Sequence, residues 1–376
     1  MTTRLLMTAD AVGGVWTYAT ELAAGLAAHG FETTIAVVGP APEPHAHRAA
    51  ALLPGVEVID TGLPLDWLSD AAGARRSAGD LAALAARLRV DLVHLNSPAL
   101  GAMAEWPLPL VGVAHGCLAA WWQAARPSEP LPDDMVWHRQ KMAAGLDACA
   151  RVIAPSRAFA ERIHALYALR ERPHVVHNGR TWRELRQPSP PAPFVLTAGR
   201  LWDEVKNTPL LDDVASRLPF RFEAAGPLEG PQGQRTEVRH LAAIGNLAPE
   251  ALVHRMAERP IFVSAASFEP FGLAVLEAAA SGCALVLSDI PTFRELWDGA
   301  AQFVPVGDAA ELARRLDWLM THPRQRLALG ERGRKRAARY SVARMAAAMA
   351  HEYRAALRSS RPARSVRRHP ASEQAA

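Results

Sequence analysis

The sequence concentrates its chemistry in two short segments within the second half of its 376 residues. Residues 267–282 read SFEPFGLAVLEAAASG: a strand ends near Ala266, a turn holds Pro270 and Gly272, and a helix starts near Leu273. The first N–H groups of such a helix lack intrahelical acceptors, and the helix dipole adds attraction for an anion. Glu269 stands in the turn, and Glu277 stands eight positions on, among Ala, Val and Leu. An unpaired buried carboxylate is strongly unfavourable, so Glu277 must face water or find partners. A carboxylate placed there can accept hydrogen bonds from a ribose diol, as acidic residues do in other nucleotide sites. The other segment, residues 197–208, reads TAGRLWDEVKNT. Gly199 permits close backbone approach, and Arg200 and Lys206 supply two cations suited to diphosphate oxygens. Loops also carry ordinary surface cations, but Lys206 is one of only three lysines in the chain, with Lys141 and Lys335.

Both segments need a scaffold that brings strand ends and helix starts together. Strand-like runs alternate with helical stretches throughout, which predicts parallel sheets covered by helices, an α/β fold. In the first half, strands are expected at 4–9, 33–38, 56–60, 91–96, 109–115 and 151–155. Helices are expected there at 15–28 (closed by Gly30), 80–89, 133–150 and 157–168. Residues 116–132, with three prolines and paired tryptophans, read as an irregular loop. QPSPPAP at 187–193 holds four prolines in seven residues and reads as a stiff extended connector.

Beyond it the pattern restarts, with strands expected at 194–197, 221–225, 240–244, 261–264, 284–288 and 301–305. Helices are expected at 208–217 (Asn207 as N-cap), 249–257, 272–281, 291–297, 308–320, 324–340 and 342–357. The division is a first domain at 1–186, the linker at 187–193 and a second domain at 194–340. A C-terminal helix at 341–358 is placed back on the first domain, and 359–376 form a disordered basic tail. Open sheets bind ligands at the carboxyl ends of their strands, so two facing domains place the site in the cleft between them.

Composition narrows the function classes. The formal charge of +4 sets 42 cations against 38 anions, and Arg361, Arg364, Arg367 and Arg368 in the tail supply much of the excess. That leaves no general case for nucleic-acid binding; the tail reads as a solvated end or an anchor for anionic surfaces. Cys117, Cys149 and Cys283 are widely spaced and form neither a metal-ligand pattern nor a disulfide framework, which fits a reducing cytoplasm. The start breaks at Asp10 without a signal-peptide core, and no stretch approaches the roughly 20 apolar residues of a membrane span. The Asp10-Ala-Val-Gly-Gly run lacks the spaced third glycine of a dinucleotide fingerprint, which argues against a nicotinamide dehydrogenase.

Glu269 and Glu277, separated by seven residues and carrying the EPFG turn, resemble the paired-glutamate motif of retaining glycosyltransferases of family 4, and the upstream arrangement of Arg200 and Lys206 does so too. The resemblance runs from Gly13 to about Tyr340. Supporting matches are the Gly13-Gly14 loop with YATELAAGLAAHG behind it, His115-Gly116, APS at 154–156 and HNG at 177–179. It implies the GT-B fold, two facing Rossmann-like domains with parallel sheets and an interdomain cleft. It implies transfer of a hexose, with retention, from a UDP-, GDP- or ADP-sugar to a hydroxyl of a glycan, lipid-linked or small-molecule acceptor.

By the same resemblance, Arg200 and Lys206 neutralise the donor diphosphate in place of a metal, so neither metal nor cofactor is expected. Glu277 holds the ribose. Glu269, with the backbone of Pro270, Phe271, Gly272 and Leu273, orients the transferred sugar. Gly13, Gly14 and Gly199 allow backbone to approach the donor, and Gly245, Asn246 and Leu247 border the base. His115 contacts the sugar and supports charge at its anomeric carbon; the alternative is a core histidine satisfied by a carbonyl. Glu295 either supports the site or is an exposed helix glutamate. Trp16, Tyr18, Trp121 and Trp122 are candidates to read the acceptor, and Trp121 and Trp122 read equally as packing a loop. Lys206 is followed by Asn207 where many members carry glycine, which puts the path of the phosphate loop in doubt. The location implied is cytoplasmic, with at most peripheral contact at the inner membrane face, for which Arg75, Arg76, Arg87 and Arg89 are the weak basis. Shared folds do not fix chemistry, so a sugar-nucleotide epimerase or hydrolase and an inactive binding protein of the same fold are the rivals.

Overall fold

The computed structural model describes residues 2–181 and 190–359. In the first half the elements are β1 (Thr3–Ala9), α1 (Val15–Ala27), β2 (Phe31–Val38), α2 (Pro44–Ala51), β3 (Val56–Leu63), α3 (Ala71–Leu88), β4 (Leu92–Leu95), β5 (Leu110–Val113), α4 (Leu118–Ala125), α5 (Asp133–Ala148), β6 (Arg151–Ala154), α6 (Arg157–Tyr167) and β7 (His174–Val175). The strands form one parallel sheet in the order β3-β2-β1-β4-β5-β6-β7. β4 and β5 are apolar and buried at nearly every position, as strands covered on both faces must be. The order reverses between β1 and β4, so their carboxyl ends open a crevice there.

The second half repeats the plan with β8 (Val195–Ala198), α7 (Thr208–Ser216), β9 (Phe222–Ala225), β10 (Ala242–Gly245), α8 (Pro249–Ala257), β11 (Ile261–Ser264), α9 (Leu273–Ala280), β12 (Ala284–Ser288), α10 (Pro291–Trp297), β13 (Gln302–Val304), α11 (Ala309–Thr321), α12 (Pro323–Ala337) and α13 (Val342–Ser359). Its parallel sheet runs β10-β9-β8-β11-β12-β13, with the reversal between β8 and β11. Each half begins with the strand that flanks its own crevice.

Four local expectations need correction. Residues 116–132 contain α4, whose N-terminus is capped by Cys117 Sγ accepting from the Ala120 N–H at 3.4 Å; the flanking prolines obscure this short helix. α3 starts at Ala71 and not near 80, because Asp70 caps it (Gly73 N–H to Oδ1, 2.7 Å) while Gly73 and Gly79 weaken the sequence signal. α2 and the two-residue β7 are additional elements. Asn207 precedes α7 but does not cap it through its side chain, which donates to the Ala265 carbonyl at 3.1 Å. Residues 187–189 of the expected linker and 360–376 of the expected tail lie outside the described residues.

α13 packs on the first sheet. Met345, Ala346, Met349, Ala350, Tyr353 and Ala356 join Leu22, Leu26, Val113 and Ile153 in one core. The chain crosses over at a tight contact, where a Cβ on Gly179 would stand 2.3 Å from the Ser341 carbonyl oxygen. No described helix is long and apolar enough to cross a membrane. The α1–α13 seam depends on Gly25, whose Cβ would stand 2.8 Å from Ala346 Cβ and 2.9 Å from Val342 Cγ1. Gly25→Leu is therefore expected to destabilise the protein by about 1–3 kcal/mol through overpacking; an unchanged denaturation midpoint would show that the seam yields freely.

Candidate active site

Two loops at the carboxyl edge of the second sheet border an open pocket lined among others by Gly199, Lys206, Glu269, Gly272 and Val275. One loop leaves β8 at Gly199, whose φ of 150° suits glycine. It continues through Arg200 into a 3-10 turn at Glu204–Lys206. Asn207 then takes φ 57° and ψ 39°, a left-handed conformation that asparagine tolerates better than most residues, so the turn keeps a path available to glycine. The other loop leaves β11 and turns at Gly272 (φ 90°) into α9. The Ser267 N–H donates to the Val205 carbonyl at 2.9 Å and ties the loops together. Lys206 Nζ lies 2.6 Å from Glu269 Oε2, beside the start of α9. Arg200 pairs with Asp203 at 2.8 Å, and Asp203 Oδ1 also accepts the Trp121 indole N–H at 2.7 Å from the first half.

Glu277 does not face water. Its side chain is 14 % exposed and pairs with the Arg180 guanidinium at 2.9 Å. Burial raises its pKa, and Arg180 opposes that rise.

The facing edge of the first sheet supplies Gly13, Gly14 and His115. A Cβ on Gly14 would meet Leu273 Cδ1 at 2.9 Å, and one on Gly13 would lie 3.5 Å from Arg200 Nη1, so this loop abuts both donor-side loops. Asp10 begins the loop; burial pushes its carboxyl up to about 6, with the nearby Arg200 acting the other way. His115 Nε2 and His94 Nε2 each lie 2.8 Å from Asn96 Oδ1. Asn96 Nδ2 donates to the Thr8 carbonyl at 2.6 Å, which points Oδ1 at both imidazoles. A carbonyl oxygen only accepts, so both Nε2 atoms carry the hydrogen. His94 Nδ1 then accepts from the Tyr353 hydroxyl at 2.6 Å. Burial lowers His94 to about 4 and His115 to about 3, so both rings are neutral at pH 7.

Residues 12–180 match the model for Glycosyltransferase Family 4, and residues 189–336 match the model for Glycosyl transferases group 1. The chain belongs to this glycosyltransferase family. Comparison with curated proteins gives no match. Among solved structures, sucrose-phosphate synthase from Thermosynechococcus elongatus superposes with a TM-score of 0.78 at 18 % identity, covering 94 % of this chain and 98 % of that one. HepE of Anabaena, solved in complex with UDP and glucose, gives 0.71 at 17 % identity, covering 94 % and 99 %. WaaG, a glycosyltransferase involved in lipopolysaccharide biosynthesis, gives 0.69 at 14 % identity, covering 93 % and 99 %. At these identities the likeness establishes the fold, GT-B.

In this glycosyltransferase the loops of Arg200, Lys206, Glu269 and Gly272 meet those of Gly13 and Gly14, with Glu277 one helix turn deeper. Gly245 ends β10, and its carbonyl accepts from the Gly226 N–H at 2.8 Å beside Gly199; Asn246 is exposed and Leu247 half-buried next to it. The aromatic candidates divide. Tyr18 is 2 % exposed and packs edge-on against His115 with ring centroids 4.2 Å apart, so it supports the histidine and offers no acceptor a stacking face. Trp122 is 8 % exposed and donates to the Glu129 carbonyl, so it packs its own segment. Trp121 is spent on Asp203, and Trp16 leans on the first core. Glu295 is not exposed: its carboxylate accepts the Arg157 and Ala158 N–H groups at 2.8 and 2.7 Å, capping α6 across the halves, and lies 3.4 Å from His177 Nε2.

Sequence reasoning missed Arg180, Asp203 and Asn96. Each acts through a partner distant in sequence and carries no local signature. The neutral state of His115 has a measurable consequence. Its folded value near 3 lies below the ordinary 6.5, so the unfolded chain takes the proton first as pH falls. Between pH 6.5 and 4 the wild type should lose stability relative to His115→Gln by up to about 1.4 kcal/mol per pH unit in denaturant unfolding. Parallel pH profiles would show that His115 is not held neutral.

Proposed function

We propose that this glycosyltransferase transfers a hexose from a nucleoside diphosphate sugar to an acceptor hydroxyl with retention at the anomeric carbon and without a metal ion. The observation that carries the reading is the Lys206–Glu269 pair, 2.6 Å apart at the start of α9, with Arg200 in the same loop. Lys206 and Arg200 take the diphosphate oxygens, joined by the free N–H groups that open α9. Glu269 then turns to the sugar hydroxyls, and Glu277 accepts from the ribose diol. The bond between the anomeric carbon and the phosphate oxygen loosens first, and the leaving charge falls on the two cations and the helix start. The acceptor oxygen attacks from the face the diphosphate is leaving, and a diphosphate oxygen receives the hydroxyl proton. Neutral His115 contributes a ring dipole, not a full charge, near the developing cation.

UDP-glucose is the first donor to test, because HepE is solved with it. The acceptor is a glycan, a lipid-linked sugar or a small molecule. Arg200→Ala and Lys206→Ala are each expected to lower kcat about 10²-fold, as removal of an oxyanion-hole donor does. Turnover should be insensitive to EDTA, and NMR of the first-formed product should show the donor's anomeric configuration. Full activity in both variants at saturating donor would remove the cations from the mechanism; turnover without any acceptor would favour a hydrolase or epimerase.

A further inference from the structure

Arg180 stands where the chain crosses between the halves. Its backbone N–H donates to the Tyr340 carbonyl at 3.1 Å, and it forms an isolated bridge with Ser341. Its guanidinium forks: Nη1 lies 2.7 Å from Glu21 Oε1 on α1, and Nη2 lies 2.9 Å from Glu277 Oε1 on α9. The Thr181 hydroxyl donates to Glu21 Oε2 at 2.8 Å and fixes the far end. All three side chains are at most 18 % exposed. One cation thus spans two carboxylates from opposite halves. The planar fork of arginine can do this, whereas the point charge of lysine cannot hold both at once.

We infer that Arg180 is the positioning residue of the ribose site: it holds Glu277 as an oriented, ionised acceptor for the diol and ties that acceptor to α1, the helix behind the Gly13-Gly14 loop. The inference rests on the reading of Glu277 as the ribose ligand. Burial and the neighbouring Glu21 both disfavour the Glu277 carboxylate, and Arg180 is the group that favours it. α8 and α12 also pack on α9. Of their charged groups, Arg255 turns to Glu223 and Glu258, Arg326 to the Ala192 and Arg259 carbonyls, Arg332 to the Gly299 carbonyl, Arg336 to the Leu296 and Asp298 carbonyls, and Arg334 and Lys335 to Glu331. Without Arg180, Glu277 is left to take up a proton, and a carboxylic acid is a poorer acceptor for two hydroxyls than a carboxylate.

The test is calorimetric binding of UDP, GDP and ADP, each against its 2′-deoxy counterpart, from pH 5 to 9. The readout is the ratio of deoxy to ribo Kd, in which the titration of the ligand's own phosphate cancels. For whichever nucleotide binds, the wild type should prefer ribose by about tenfold or more, and this preference should fade only toward acid pH. Arg180→Gln should lose the preference at pH 7 and recover it on going up by about 1–3 pH units. Glu21→Gln removes the like charge and should shift the loss of preference to lower pH, the opposite direction. An unmoved pH profile in Arg180→Gln, or an upward or null shift in Glu21→Gln where Arg180→Gln does not fold, would overturn the inference. Loss of affinity in Arg180→Gln with the ribose preference intact would reduce Arg180 to a structural role and overturn it too. Failure of the underlying reading looks different: Glu277→Gln would keep the full ribose preference, or none of the three nucleotides would bind the wild type.

Discussion

Lys206 with Glu269, Arg200 with Asp203, and Arg180 with Glu277 are each held within 2.9 Å, the three carboxylates largely shielded from water, and such groups are tolerable together because they neutralise one another. The consequence reaches every element at the cleft. The loops that carry the cations must also carry acids, and the acids must come close enough to pair without closing the cavity. Any anion entering between these loops would compete with Glu269 and Asp203 for the same guanidinium and ammonium, so its affinity would be a difference between two sets of ion pairs. On the proposed donor reading, that exchange would free the Glu269 carboxylate for the sugar as the diphosphate arrives, coupling charge neutralisation to sugar contact within one loop pair.

The first half meets the same constraint with neutral groups. His94, His115, Asn96 and Tyr353 form an unbroken hydrogen-bonded chain through the sheet, with hydrogens assignable at each link. Asn96 Oδ1 accepts from both neutral rings, and protonating either imidazole would place a positive charge in a dry environment, which burial makes unfavourable. The far end of the chain, Tyr353, belongs to α13, so the last helix contributes to the orientation of a residue at the cleft. Truncation within α13 would therefore be felt at His115 as well as in the core.

Apolar periodicity and strand–helix alternation made the two sheets legible, and the EPFG turn with its paired glutamates marked the cleft edge of the second one. The demand that a carboxylate among apolar residues find a partner was legible at Glu277, but the partner was not: Arg180 lies in the other half, and nothing local in HNGR announces that its side chain reaches α9. The same reason hid Asp203, which reads as an ordinary loop acid until Trp121 and Arg200 converge on it. Tyr18 misled in the opposite sense. An aromatic behind a glycine loop suits sugar stacking, yet its helical register turns it inward onto His115. Residue type was informative where the chemistry was local, and side-chain direction decided the rest.

Contacts between the halves are unequal, and that inequality determines where the molecule can yield. Across the cleft, Val205 and Phe268 join the first half's buried apolar side chains, each worth about 1.5–3 kcal/mol of burial, and Phe271 and Tyr340 pack against His177. The remaining cross-cleft bonds are polar: Ser156 Oγ to the Pro270 carbonyl, Arg126 to Glu204, Trp121 to Asp203, and Glu295 to the start of α6. Water can replace each of these at small net cost. α13, by contrast, commits Met345, Met349, Tyr353 and several alanines to the first core. Parting the halves at the cleft thus costs far less than lifting α13, so the crossover at Gly179–Arg180 is the fixed end of any such movement. Arg180 stays with that pivot while pairing with both a first-half and a second-half carboxylate, so movement at the cleft is transmitted to Glu21 and Glu277 together.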